Sequence, residues 1–317
     1  MIAKRGKIQR YDNRIKQFQQ NRAFVNNQGK FFKVLNNEGA QQSNECPDVE
    51  ETKEFWSQIW GEEVEHNREA DWVKELRKEG ESRDKQESPE VTIEKVQKTL
   101  RSFPNWKTPG PDGVQGYWLK NFNSMHKYLA EYLHRLVQGN EIPMWMTKGK
   151  TVLIQKDKDK GTVPSNYRPI TCLPIVWKLL TALIADDIYH HLEAKSLLPE
   201  EQKGCRKGTK GTGDLLFIDK MILKEVKNRK KNFAICWIEY RKAYDLILHS
   251  WTSECLKRFV MSEEICKLPE KSMKSWCVEL TCGKNALGNM NIRRGTFQEV
   301  LIQKKYFDWS FIRRGTF

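Results

Sequence analysis

Hydrophobic spacing divides this chain into helical stretches, two short extended runs and one long apolar run. Across residues 50–80, Phe55, Trp56, Ile59 and Trp60 recur at short helical steps among many carboxylates, the pattern of a helix with one buried side. The stretch 79–89 is charged and non-periodic and predicts a linker. Thr92-Ile-Glu-Lys-Val-Gln-Lys-Thr-Leu then restarts a helix, which Pro104 ends. Over 118–137, Leu119, Phe122, Leu129, Leu133 and Leu136 predict one continuous helix. Thr151-Val-Leu-Ile and Asn166-Tyr-Arg-Pro-Ile-Thr-Cys-Leu read as the two arms of a hairpin, with Asp157-Lys-Asp-Lys-Gly as its charged tip. A helix over 176–194 follows, then a basic glycine-rich loop. Beyond the loop, a second helix carries Leu215, Ile218, Ile222 and Val226 on one face. Phe233-Ala-Ile-Cys-Trp-Ile-Glu239 is the strongest strand pattern in the chain, continuous and apolar as a buried strand is. The first residues, from Arg10 to Val25, read as a helical arm.

Charge sharpens this division. The chain of 317 residues carries 55 Lys and Arg against 41 Asp and Glu, a net charge of +14. That charge is uneven: +7 over residues 1–40, −8 over 41–100 and +15 over 101–317. A basic arm, an acidic segment and a basic body suit a protein that meets polyanions. A solvated surface with ordinary bias is the alternative reading of charge alone. Eleven Trp and fourteen Phe supply a sizeable core, which argues against wholesale disorder. The sequence shows no run of ~18 apolar residues and no signal-peptide pattern, so it predicts a soluble, intracellular chain without membrane contact. The eight cysteines have no zinc-ligand spacing and read as buried or idle reduced thiols. His190-His191 reads as a surface pair. Ile292-Arg-Arg-Gly-Thr-Phe297 returns word for word as residues 312–317, a duplication rather than a solenoid repeat.

Candidate chemistry gathers after the acidic segment. Glu239 ends the predicted strand and Asp245 follows six residues on, where carboxylates could hold a hard divalent cation. Asp245 reads equally well as a turn or cap residue. Lys156 and Arg168 could face one another across the hairpin and hold phosphates, although Lys156 reads as well as a solvated loop cation. Lys203, Arg206, Lys207 and Lys210 lie among glycines that permit close approach of a nucleic-acid backbone.

Seven blocks in order, TPGPDG, VLIQK, NYRPITCLP, WKLLTALIA, LLPEEQKGCRKG, WIEYRKAYD and RRGTFQ, together resemble the reverse transcriptase of non-LTR (LINE-type) retrotransposons over about residues 100–298. The resemblance implies an α+β, right-hand polymerase. Residues 1–90 would be a helical N-terminal extension and linker, 91–230 the fingers, 231–298 a partial palm and 299–317 an aberrant tail. It implies an RNA template, a DNA primer or target, deoxynucleotides and Mg2+ as partners and cofactor. Carried over by motif, Lys156 and Arg168 contact the triphosphate, Tyr244 lies under the ribose and Gln298 lies near the nascent base pair. The block 202–208 lies along the template.

Two departures stand beside these matches. Glu239 occupies the position where the family carries a metal-binding Asp. One extra methylene matters against the ~2.0–2.1 Å octahedral demand of Mg2+. After Gln298 the sequence leaves the family pattern, and no Tyr-x-Asp-Asp block or thumb follows among the 317 residues. The expectation is therefore a truncated reverse transcriptase-like domain, inactive alone. A non-catalytic nucleic-acid-binding module and a non-functional transposon relic with exposed Trp237 and Ile238 remain as alternatives.

Overall fold

The structure is a computed structural model. It describes residues 46–297, apart from 82, 199, 202, 204, 205, 239 and 284, together with residues 9, 11, 13–15 and 17. The predicted arm is helical and exposed at the six residues described there. Glu239, Gln298, part of the block 202–208 and the tail 299–317 lie outside the described residues.

The acidic segment forms α1 (Val49–Trp60) and α2 (Asp71–Glu81). Asp48 caps α1 by accepting from the Glu51 backbone N–H at 2.9 Å. Thr52, Trp56, Ile59 and Trp60 form its buried face, and Trp56 and Trp60 stack at 4.4 Å. Thr92 caps α3 (Ile93–Ser102), whose helix ends where Phe103 turns extended before Pro104.

The single helix expected over 118–137 is instead α4 (Gly116–Asn121), a short 3-10 turn over Asn123–Met125, and α5 (His126–Val137). Asn121, Asn123 and Ser124 compete for backbone hydrogen bonds and favour ends over interiors, so the chain breaks there. His126 then bridges the break through Nε2 to the Leu119 carbonyl, 2.7 Å away.

A short turn, α6 (Met144–Thr147), leads into β1 (Lys148–Gln155), which pairs antiparallel with β2 (Tyr167–Cys172) as the hairpin pattern predicts. α7 (Ile175–Ala194) is the central helix, burying Leu179, Leu180, Ile184, Ile188 and Leu192 among its eleven buried residues. α8 (Thr212–Arg229) follows the basic loop, then α9 (His249–Arg258) and α10 (Glu263–Met273). β3 (Cys277–Cys282) adds parallel to β1, and β4 (Asn285–Asn291) pairs antiparallel with β3, giving a mixed sheet of order β2-β1-β3-β4.

One hydrophobic core runs from Trp56 to Phe297 through α3, α5, α7, α9, α10 and the sheet, so α1 packs with the body that follows it. The stretch 79–89, expected as a linker, is fastened to that body. The Gln86 backbone N–H donates to the Val260 carbonyl at 2.9 Å, and its side-chain amide donates to the Asp187 carbonyl at 3.3 Å.

Two apolar patterns do not become core. The run 233–238, expected as a buried strand, has no strand structure and is exposed, Trp237 by 70% and Ile238 by 69%. A strand forms only where a neighbour takes its backbone groups. Among the described strands, β1 and β3 are flanked on both sides, and the outer edges of β2 and β4 do not take this run. α8 forms as predicted but buries no residue, so its Leu215, Ile218 and Ile222 face lies exposed.

The pair His190-His191 splits. His190 is exposed, whereas His191 is half-buried with Nε2 at 3.1 Å from the Phe259 carbonyl, and burial pushes its pKa down. Cys172, Cys255, Cys266 and Cys282 are buried packing groups, and burial pushes Cys255 up to about 12 and Cys266 up to about 11, whereas Cys236 is exposed. No described helix is long and apolar enough to cross a membrane.

Candidate nucleotide and nucleic-acid site

The hairpin presents its two predicted phosphate-binding cations on one face. Arg168 pairs with Ile154 across the ladder, and both are exposed. The ladder continues past β1 through the Lys156 N–H, which donates to the Asn166 carbonyl at 2.8 Å. Lys156 is two residues beyond Ile154 and so shares its face, diagonal to Arg168. Its ammonium donates to the Ser165 carbonyl at 3.0 Å while remaining exposed.

Asn166 holds this tip in shape. Its buried amide donates to the carbonyls of Asp157 (2.6 Å) and Gly161 (2.8 Å), and its side-chain oxygen accepts from the Asp157 N–H at 3.2 Å. The sequence reading passed over Asn166. Its place between a polar tip and an extended run, where an amide can close a turn, was the available signal.

The blocks RKAYD and RRGTF, separated by about fifty residues, are joined backbone to backbone. The Thr296 N–H donates to the Tyr244 carbonyl at 2.8 Å, and the Gly295 N–H donates to the Ile247 carbonyl at 2.7 Å. Gly295 has φ +87°, and a Cβ there would lie 2.6 Å from the Asp245 carbonyl oxygen, so the junction requires glycine. His249 adds a contact from Nε2 to the Gly295 carbonyl at 3.0 Å, and burial pushes its pKa down.

α1 closes over this junction. The Arg293 N–H donates to the Trp60 carbonyl at 2.8 Å, and the Arg294 guanidinium donates to the carbonyls of Ile59 and Gln58. These are last-turn carbonyls, which lack helical partners and attract cations. The Lys242 ammonium sits 4.4 Å from the Phe55 ring centroid and 4.2 Å from that of Trp56. Burial pushes Lys242 down to about 8, opposed by Asp245 and assisted by Lys156 and Arg241. Burial raises Asp245, which Lys242, a hydrogen bond from the Trp60 side chain and Lys156 pull back down. Asp245 is 8% exposed, so its carboxylate serves this buried arrangement.

Asp245 therefore does not fit the role of a rim ligand for a divalent cation. Among the described residues no group of three or more His, Cys, Asp or Glu could hold a metal. Glu239, the predicted first ligand, lies outside the described residues.

The basic loop is partly neutralised. Arg206 pairs with Glu193 at 3.3 Å, and Lys207 pairs with Asp186 and covers the Tyr189 ring at 4.7 Å. Lys203 offers its carbonyl to the Thr209 hydroxyl at 2.8 Å, and the Lys210 N–H caps onto Asp214 at 2.9 Å with its side chain exposed.

Residues 154–299 match the family described as reverse transcriptase (RNA-dependent DNA polymerase). The chain is also similar to retrotransposon proteins. It is 26% identical over 160 residues to the probable RNA-directed DNA polymerase from transposon BS of Drosophila melanogaster, a match covering 50% of this chain and 18% of that protein. It is 27% identical over 175 residues to the Pol polyprotein of the type-1 retrotransposable element R2 of Popillia japonica, covering 55% and 23%. The RNA-directed DNA polymerase from mobile element jockey of Drosophila funebris is 23% identical over 160 residues, covering 50% and 17%. Residues 154–299 are thus reverse transcriptase-like.

The chain spans less than a quarter of the length of these three relatives. Within the reverse transcriptase-like domain, the matched region contains the hairpin cations and the RKAYD–RRGTF junction. α1 lies before the match yet closes over the junction.

Proposed function

We propose that this domain derives from an RNA-directed DNA polymerase and keeps the nucleotide- and template-facing architecture of one. The hairpin and neighbouring helices would be its fingers and residues 231–298 part of its palm. Lys156 and Arg168 would hold the triphosphate, Tyr244 would lie under the ribose and Gln298 would lie near the nascent pair. The observation that carries this reading is the family match over 154–299, together with two exposed cations on one hairpin face. Planar guanidinium and compact ammonium groups so placed suit a polyphosphate. RNA template and DNA primer or target would be the macromolecular partners.

Polymerisation by this chain alone is not expected. Glu239 replaces the family's Asp, and the sequence contains no Tyr-x-Asp-Asp block. In-line phosphoryl transfer between two metals about 3.5–4 Å apart tolerates a displaced ligand poorly. Binding need not be lost with catalysis. Titration of a deoxynucleoside triphosphate into the chain, followed calorimetrically, should show binding that weakens about tenfold or more in Lys156→Glu and Arg168→Glu. Unchanged binding in both variants would remove the triphosphate role.

The second reading, a nucleic-acid-binding module without catalysis, is favoured by a set of exposed aromatic rings outside the hairpin. It predicts RNA affinity that falls steeply as salt rises.

A further inference from the structure

Four aromatic side chains form a continuous ladder beside the TPGPDG turn, with Trp106, Trp118 and Phe122 exposed and Tyr117 half-buried. Trp106 stacks on Tyr117 at 4.8 Å with planes 15° apart, Tyr117 meets Trp118 edge-on at 5.3 Å, and Trp118 stacks on Phe122 at 5.7 Å with planes 19° apart. Such rings are ordinarily core residues, yet Trp106 is 67% exposed and Trp118 47%. The chain just before the turn holds them in place. The Tyr117 N–H donates to the Asn105 carbonyl at 3.1 Å, and Gly116 passes so close to Pro104 that a Cβ would lie 2.4 Å from its carbonyl oxygen. The ladder is thus built before any ligand arrives, and Trp106, Trp118 and Phe122 keep exposed ring surface that a base could stack on.

The surrounding charge is one-sided. Residues 101–130 carry four Lys or Arg and one acidic residue, Asp112. Burial raises the pKa of Asp112, which backbone hydrogen bonds and, last, nearby Lys178 pull back down. Lys107 follows Trp106 directly and is exposed, and the Lys120 ammonium reaches the Arg101 carbonyl at 3.3 Å, which places it at the end of α3. Flat π-faces in a basic stretch of chain match a single nucleic-acid strand, whose bases stack and whose phosphates seek positive charge.

We infer that the Trp106–Tyr117–Trp118–Phe122 ladder is a stacking platform for single-stranded nucleic acid, separate from the hairpin cations and the basic loop. This deepens the polymerase reading by naming a strand-binding surface, and it rests on the chain binding nucleic acid at all. A polar ligand without bases would not use it, because the rings contribute stacking and not phosphate neutralisation.

The test uses the full chain, a fluorescein-labelled oligo(U) and an abasic version of the same oligomer, read by anisotropy at fixed salt. Trp106→Ala and Trp118→Ala should each weaken oligo(U) binding about tenfold, with the salt dependence unchanged. The abasic strand should bind the wild type as weakly as it binds these variants, and Trp106→Phe should retain most of the affinity. Matching thermal melts would exclude unfolding, as expected for such exposed rings. Variants that bind oligo(U) as the wild type does would overturn the platform while leaving nucleic-acid binding intact. A wild type that binds no single strand would overturn the underlying reading and the platform with it. Self-association of the wild type, lost in both alanine variants without loss of oligo(U) binding, would assign the ladder to a second copy of the chain.

Discussion

The RKAYD–RRGTF junction and the run 233–238 lie only a few residues apart in sequence and in opposite conditions. The junction is covered by α1, fastened by backbone hydrogen bonds and filled by Lys242 against Phe55 and Trp56. The run beside it is as apolar as any strand and faces solvent, as do Leu215, Ile218 and Ile222 of α8. Apolar pattern is the same kind of signal in both places. What differs is the presence of a neighbour: α1 supplies one for the junction, and no described element supplies one for 233–238. Hydrophobicity sets what a segment can bury, and topology decides whether anything is there to bury it.

Removing a covered ring should separate the two regions most strongly. Trp56→Ala should cost about 3–5 kcal/mol and lower the midpoint of a cooperative melt substantially. Trp237→Ala should change stability by less than about 0.5 kcal/mol. Comparable losses at both sites, read by chemical denaturation, would mean that 233–238 is as well packed as the junction. A broad melt with strong dye binding in the unsubstituted chain would favour the relic reading.

A subtler break is Gly295→Ala. The added methyl group would meet the Asp245 carbonyl, and alanine disfavours φ +87°. A cost of about 1–3 kcal/mol should follow, with a readout at the junction: increased hydrogen exchange at the Thr296 and Gly295 amides.

Acidity should also act on the covered region. His249 is depressed by burial, so between its folded pKa and its unfolded value of about 6.5 the unfolded chain binds more protons. Stability should therefore hold above about pH 6.5 and fall as pH drops toward the folded pKa. The slope from this residue is at most about 1.4 kcal/mol per pH unit. His66 and His191, also depressed, add to it with the same sign. His249→Gln should flatten the dependence of melting temperature on pH, and an unchanged slope would remove His249 as a contributor.

The comparison also explains what was legible in the sequence. Local devices were plain: the helix restart at Thr92, the face of α1, the two extended runs that become β1 and β2 and the length of α7 all follow from the local pattern. Helix formation in α8 was legible for the same reason. Its exposure was not, because a pattern of Leu215, Ile218 and Ile222 cannot say what lies opposite. The docking of Arg294 on the end of α1 spans 236 residues from Gln58, and no local pattern encodes such a contact. Of the candidate site, Lys156 and Arg168 fell on one face as their hairpin register required. The pairing of Arg206 and Lys207 with carboxylates on α7 was hidden, since charge counts do not show which cations are already matched.

Primer extension tests the central claim most directly. The purified 317-residue chain, given an RNA template, a DNA primer, deoxynucleotides and Mg2+, should bind its substrates and extend no primer. Robust Mg2+-dependent extension, abolished by Glu239→Ala, would contradict the account and show that this chain is a working polymerase by itself.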